Sequence, residues 1–267
     1  MVKAIVSGAA GRMGGRIIHM IEAAEGIELA GALERPDHPA VGKDVGEVVG
    51  LPPKGIPVAA TLAEVLPKAD ILIEFTHPGP SFVHLMEALA AGKAMVIGTT
   101  GFSPKQIAEI RELAPKGRVV LAPNMSVGVN LMFKVVEDVA RVLTDGYDVE
   151  IVEAHHRLKK DAPSGTALKL AQVIAQALGR NLEEVGVYAR QGLIGERRQE
   201  EIGIQTVRAG DIVGEHTVIF GGIGERLEII HRAHSRDNFA RGAVRAALWV
   251  VQQPPGLYDM QDVLGLK

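Results

Sequence analysis

The stretch Lys3-Ala4-Ile5-Val6-Ser7-Gly8-Ala9-Ala10-Gly11-Arg12-Met13-Gly14 carries the strongest fold signal in the chain. An apolar run leads into glycines spaced Gly-x-x-Gly-x-x-Gly. An amphipathic segment follows, with Gly14, Ile17, Ile18 and Ile21 at i, i+3, i+4 and i+7. Strand, glycine turn and helix in that order open a dinucleotide-binding βαβ unit. The glycines let the backbone turn tightly and approach a pyrophosphate, which then rests on the helix N-terminus. Glycine at such a turn also has a purely steric use, so context gives the triplet its weight. That context is Glu34, which ends the second apolar run roughly 20 residues on, where an acid that accepts ribose hydroxyls is expected. Arg35 beside it either pairs with the 2′-phosphate of NADP or is a solvated surface charge; the pair Glu34-Arg35 suggests use of both NADH and NADPH.

Working outward, apolar runs at Ile27–Glu34, Ile71–Phe75, Ala94–Ile97 and Val119–Leu121 alternate with helical patterns, as in a parallel sheet built from βαβ units. Phe82, Leu85, Met86 and Leu89 form one helical stripe. Ser103-Pro104-Lys105-Gln106 reads as a capping box with proline at the first helical position. Gly98-Thr99-Thr100-Gly101 and Ala122-Pro123-Asn124-Met125 each follow a strand, where loops face the ligand crevice, although each alone is an ordinary connection. Residues 37–57 read as a loop with one short element and no function.

A second pattern starts at Ser126. Met132, Val135, Val136, Val139 and Leu143 mark a long helix, residues 147–154 a strand, and Leu170, Val173, Ile174 and Ala177 another helix. Three strand-like runs between Ile202 and His234 suggest an antiparallel or mixed sheet, and Ala243, Ala246, Ala247 and Val250 a last helix. The fold class is α/β: an N-terminal Rossmann-type dinucleotide-binding domain plus a C-terminal α+β domain with a mixed sheet, to which the resemblance described below adds substrate binding and oligomerisation.

Composition excludes several function classes. The 267 residues carry 29 Lys and Arg against 32 Asp and Glu, a net charge of −3, without the basic surplus of a nucleic-acid binder. No apolar run approaches the ~20 residues of a membrane span, and no secretory signal is expected at Met1. Cysteine is absent, which removes disulfides and thiolate chemistry and fits a cytoplasmic protein. No ligand spacing for a metal ion is found, His231 and His234 being three apart on an expected strand. His19, His38 and His84 read as surface or helix residues, Phe239 and Trp249 as core.

The densest basic cluster is His155-His156-Arg157-Leu158-Lys159-Lys160, running into Asp161-Ala162-Pro163-Ser164-Gly165-Thr166. A helix start at Ser164, Gly165 and Thr166 offers free N–H groups to a carboxylate or phosphate, and the histidines and lysines add charge and protons. This describes a pocket for a small anionic substrate that must be protonated. The alternative is a solvated basic loop with Ser164 as a plain N-cap.

Glu153-Ala154-His155-His156-x-x-Lys159-x-Asp161-Ala162-Pro163-Ser164-Gly165-Thr166-Ala167 resembles the signature of dihydrodipicolinate reductases. Phe75–Pro78, Val96–Phe102, Asn124–Asn130, Val207–His216 and Gly224–Glu228 resemble further blocks of that family, in order along nearly the whole chain. Glu74 departs from the usual Asp, with the acid kept. The resemblance implies NAD(P)H-dependent reduction of a small dicarboxylate, 4-hydroxy-tetrahydrodipicolinate, with loss of water. It also implies roles. Gly8, Ala9, Ala10, Gly11, Arg12, Met13 and Glu34 hold the cofactor and Arg35 the NADP phosphate, while Gly98, Thr99, Thr100, Ala122, Pro123, Asn124 and Met125 complete that site. His155 and Lys159 donate protons, and His156, Ser164, Gly165 and Thr166 grip substrate. A homotetramer is implied, as is a division into residues 1–126, 127–236 and a returning segment, 237–267. Two rival classes are an aspartate-semialdehyde-type dehydrogenase, which needs a cysteine, and a non-catalytic nucleotide sensor, which has no use for the histidine segment.

Overall fold

The computed structural model describes all 267 residues. The chain begins β1 (Val2–Ser7), α1 (Arg12–Glu22), β2 (Ile27–Leu33), α2 (Val45–Val49), β3 (Val58–Ala59), α3 (Leu62–Val65), β4 (Ile71–Glu74) and α4 (Pro78–Ala90). It continues through β5 (Ala94–Ile97), α5 (Pro104–Leu113) and β6 (Arg118–Leu121). Next come α6 (Val127–Val142), β7 (Asp148–His155), α7 (Gly165–Ala177), α8 (Leu182–Val185), β8 (Gly186–Val187), β9 (Ile202–Arg208), β10 (Gly214–Gly221) and β11 (Arg226–Ala233). It ends with α9 (Asp237–Val250), β12 (Gly256–Tyr258) and α10 (Met260–Leu264). Two compact units result: Met1–Val127 with Arg236–Lys267, and Gly128–Ser235.

The first unit is a seven-stranded sheet in the order β12-β6-β5-β4-β1-β2-β3, with every pairing parallel. Strand order reverses at β1, whose neighbours are β2 and β4, so a crevice opens at the carboxyl ends of β1 and β4. Because side chains alternate across a strand, Ala4 and Val6 join one core with Ile17, Ile18 and Ile21, while Ile5 joins another with Leu72 and Met95. Both faces are therefore dry, which is why these strands read as unbroken apolar runs. The box at Ser103 forms as expected, with its hydroxyl accepting the Gln106 N–H at 3.2 Å.

The second unit is a mixed five-stranded sheet, β11-β10-β7-β9-β8. β10 runs antiparallel to β7 and β11, whereas β7 and β8 run parallel to β9. Its core packs Val149, Ile151, Val218 and Phe220 against Met132, Val136, Leu170 and Ile174.

Several expectations need correction. Met86 and Val135 are 49% and 36% exposed, so the apolar stripes of α4 and α6 are narrower than their spacing suggests. Glu34 follows β2 instead of ending it, and His234 lies just beyond β11. The helix at Asp237–Val250 is not the last: β12 adds an edge strand beside β6, and α10 follows. Trp249 is half-buried and meets Tyr258 edge to face at 5.0 Å, and Phe239 is half-buried.

Candidate active site

The loop between β1 and α1 is shaped by backbone that only glycine tolerates. Gly8 has φ +70°, and a Cβ on Gly14 would stand 2.0 Å from the Gly8 carbonyl oxygen. The Gly8 and Ala9 N–H groups donate to the Leu33 carbonyl at 2.8 and 3.1 Å, tying the turn to the end of β2. At the start of α1, Gly11 caps with no side chain and the first turn holds no acid, so its N–H groups remain available to an anion. Glu34 accepts the N–H of Ala10 and of Arg35, both at 3.2 Å, which holds its carboxylate at the crevice. A nicotinamide dinucleotide fits this cradle: glycines for close backbone approach, N–H donors for the pyrophosphate, and an acid for the ribose.

A cleft of about 610 Å³ lies here, lined by Gly8, Gly11, Arg12, Met13, Glu34 and Arg35 among others. Arg35 is mostly exposed and pairs with Asp37 at 3.3 Å, a surface contact worth about 0–1 kcal/mol that a phosphate can displace. Phe75, Thr76, His77 and His84 complete the wall, although local sequence spacing gives them no role there. Glu74 beneath them is fully buried; it accepts the Thr76 hydroxyl and pairs with His84 Nδ1 at 2.6 Å. His84 lies on α4, as expected of a helix residue, and also lines the cleft.

Gly98 and Thr99 stand behind this wall and do not line it. A Cβ on Gly98 would lie 2.2 Å from the Phe75 ring, and Thr99 Oγ1 accepts the Thr76 N–H at 3.1 Å. Thr100 is exposed. Ala122 and Met125 are buried in the core, Pro123 is exposed, and Asn124 Oδ1 accepts the Ser126 N–H at 2.9 Å. Their side chains hold the loop after β6 and do not reach the cleft.

In the second unit, strand register assembles a polar site from distant sequence. Glu153 of β7 stands opposite His216 of β10 and Thr206 of β9, and His155 opposite Arg208. Glu153 is fully buried on the inward face of β7. Its Oε2 pairs with His155 Nδ1 at 2.5 Å, and Arg208 closes on both oxygens at 2.8 and 2.9 Å. Burial alone would raise the Glu153 pKa, but His155, Arg208 and the Ser164 N–H outweigh it and hold the carboxyl well below the usual range. His216 packs edge to face on His155, ring centroids 5.3 Å apart, and its Nε2 pairs with Ser164 Oγ at 3.2 Å. Desolvation, reinforced by the charge at His155, pulls His216 down to about 3, so it is neutral at pH 7.

Ser164 is the N-cap of α7, its Oγ accepting the Ala167 N–H at 3.2 Å, and no acid occupies the first turn. Gly165 and Thr166 open that helix, and a Cβ on Gly165 would meet nothing within 4 Å. His156 follows directly on β7, half-buried. Lys159 pairs with Asp161 at 2.9 Å, and the Asp161 carbonyl accepts from Arg208 at 2.7 Å, so the loop is strapped to the strand that positions Glu153. A histidine, a lysine and a helix start with no acid in its first turn therefore share one unit, which suits holding a carboxylate beside a group able to exchange a proton. Glu153, Arg208, Thr206 and His216 have no role legible from the sequence. Glu153, Arg208 and His216 fall within family-like blocks and Thr206 just outside one, while nothing in local spacing ties residue 153 to 208.

Comparisons with known proteins agree along the whole chain. The family model described as dihydrodipicolinate reductase, N-terminus, matches residues 2–125, and that for the C-terminus matches residues 128–264. The 4-hydroxy-tetrahydrodipicolinate reductases of Syntrophobacter fumaroxidans and Syntrophus aciditrophicus are 63% and 61% identical, over 100% of this chain and of each relative. A solved structure, the dipicolinate-bound dihydrodipicolinate reductase of Paenisporosarcina sp. TG-14, superimposes with a TM-score of 0.77 at 29% identity, covering 98% of both chains. With both halves matched in order and relatives aligned end to end, the chain belongs to the dihydrodipicolinate reductase family.

Proposed function

We propose that the chain reduces (2S,4S)-4-hydroxy-2,3,4,5-tetrahydrodipicolinate to 2,3,4,5-tetrahydrodipicolinate with loss of water, in diaminopimelate and lysine biosynthesis. The observation that carries this reading is the His155–Glu153–Arg208 cluster beside the start of α7, whose first turn holds no acid. Loss of the C4 hydroxyl with a C5 hydrogen leaves a C=C conjugated to the ring C=N. A reduced nicotinamide held by Gly8–Met13 and Glu34 would supply hydride for C4, and the substrate's electron pair then moves through C5 toward the ring nitrogen. Protonation at C5 then restores the C=N bond. His155 donates that proton, Lys159 assists by donating or holding charge, and His156, Ser164, Gly165 and Thr166 bind substrate carboxylate.

The cofactor is a nicotinamide dinucleotide, and we assign use of both NADH and NADPH, supported by Glu34 for the ribose and Arg35 for the 2′-phosphate. Gly8–Met13 carry the pyrophosphate, with Gly98–Thr100 and Ala122–Met125 supporting from the neighbouring loops. The assembly is a homotetramer built through the outer face of the mixed sheet, where Val207 and Ile230 stand 42% and 45% exposed. No helix is long and apolar enough to cross a membrane; the proposed compartment is the cytoplasm.

Steady-state kinetics test the roles. A positioned general acid contributes about 10²–10⁴-fold, so His155→Gln and Lys159→Ala should lower kcat by that range with KM nearly unchanged. Thr166→Val should instead raise KM, because its contact is made in ground and transition states alike. Near-full kcat in His155→Gln would remove it as the donor.

A further inference from the structure

The carboxylate of Glu153 touches both halves of the substrate site. Oε2 lies 2.5 Å from His155 Nδ1, while Oε1 accepts the Ser164 N–H at 3.0 Å, at the cap of α7. Arg208 grips it as a fork, Nη1 to Oε2 at 2.9 Å and Nη2 to Oε1 at 2.8 Å, and Thr206 Oγ1 adds a bond to Oε1 at 3.3 Å. A planar guanidinium fixes the plane of the carboxylate it meets bidentately. Arg208 is itself held by the carbonyls of Val207 and Asp161, both at 2.7 Å. No atom of this carboxylate is exposed, so water does not compete for it.

An ionised carboxylate only accepts hydrogen bonds. The imidazole nitrogen facing it, Nδ1, must carry hydrogen, which leaves Nε2 as the nitrogen that exchanges protons. Nε2 faces Gly214, where a Cβ would stand 3.0 Å away, and the glycine leaves that edge of the ring clear.

We infer that Glu153, oriented by Arg208, is a positioning residue that fixes the tautomer and aim of His155 and, through the Ser164 N–H, keeps the start of α7 in register with that ring. The inference rests on the reading of His155 as proton donor. After the imidazolium gives its Nε2 proton to the substrate carbon, the neutral ring is left with hydrogen on Nδ1, already bonded to Glu153. The proton on Nε2 is then regained from solvent. One carboxylate thereby couples the acid to the substrate anchor, so its loss affects both kcat and KM.

Imidazole tautomers read this directly, by long-range proton–nitrogen correlation spectra of the full-length chain labelled with ¹⁵N-histidine. His155 is assigned as the signal missing from His155→Gln. In the wild type, neutral His155 should carry hydrogen on Nδ1 and none on Nε2. In Glu153→Gln, Arg208 claims the amide oxygen and turns the NH₂ toward Nδ1, so the ring should switch to the Nε2–H tautomer. Turnover should fall roughly 10- to 100-fold, part of what a positioned acid contributes, with KM raised several-fold. Glu153→Gln leaves Arg208 uncompensated, so Glu153→Gln with Arg208→Met removes the pair together and serves where the single variant misfolds; it should lose the tautomer preference. A wild-type Nε2–H tautomer overturns the inference, whether or not any variant folds. Retention of both the wild-type tautomer and kcat in Glu153→Gln also overturns it. Full kcat in His155→Gln would instead refute the proton-donor reading, while the tautomer still decides whether Glu153 positions the ring.

Discussion

Replacing His216 should change how the protein tolerates acid. His216 is 3% exposed on β10, and its pKa is pulled from 6.5 to about 3, first by desolvation and then by the positive charge of His155, His231 and Lys159 against the opposing pull of Glu153. As pH falls, the unfolded chain takes up a proton at His216 near pH 6.5 while the folded chain stays neutral. Stability is therefore lost progressively between 6.5 and 3, at up to about 1.4 kcal/mol per pH unit. From pH 7.5 to pH 5 the loss integrates to about 2 kcal/mol. Glu153 acts in a lower window: its depressed pKa adds stability above the unfolded value of 4.5, lost as pH falls below that. His216→Gln keeps a polar partner for Ser164 Oγ and cannot titrate. In urea unfolding followed by circular dichroism at pH 7.5 and pH 5, the wild type should lose about 2 kcal/mol more than the variant. Equal losses, or a His216 resonance titrating above pH 6 in the folded protein, would show that burial does not hold His216 neutral.

Gly14→Ala drives a Cβ into the Gly8 carbonyl, which cannot yield without opening the turn; dinucleotide affinity by calorimetry should fall at least about 10-fold, with unit Gly128–Ser235 unaffected in hydrogen exchange. Arg35→Ala removes a charged partner of the 2′-phosphate worth about 1.5–3 kcal/mol, so NADPH should weaken roughly 10- to 150-fold while NADH changes little. Equal losses for both cofactors would show that Arg35 does not discriminate. Gly98→Ala should disturb Phe75 and raise the KM for both cofactors together, since its Cβ strikes the ring and no charged group is lost.

The opening of the fold was legible because its signals are local. The apolar run at Lys3, the glycine spacing and the stripe Gly14, Ile17, Ile18, Ile21 all lie within one βαβ unit, and all four stripe residues are buried. β3 and β12, of two and three residues, are too short to show a period and exist only through pairing with β2 and β6. The same limit applies to the sites. The phosphate loop could be read from spacing, but Phe75, Thr76 and His84 join it only through the parallel neighbour β4. Glu153, Arg208 and His216 are brought together by the registers of β7 with β9 and β10, which no local pattern encodes. The histidine segment was legible as basic and anion-seeking; the buried carboxylate that organises it was not.

The proposed reaction delivers hydride to the carbon that loses hydroxyl. The most direct measurement is turnover of freshly generated 4-hydroxy-tetrahydrodipicolinate with NADH carrying deuterium at the transferable C4 position. One cofactor should be oxidised per substrate consumed, with deuterium at ring C4 of tetrahydrodipicolinate. Cofactor that binds but is not oxidised in the presence of substrate, or product that carries no label, would contradict it.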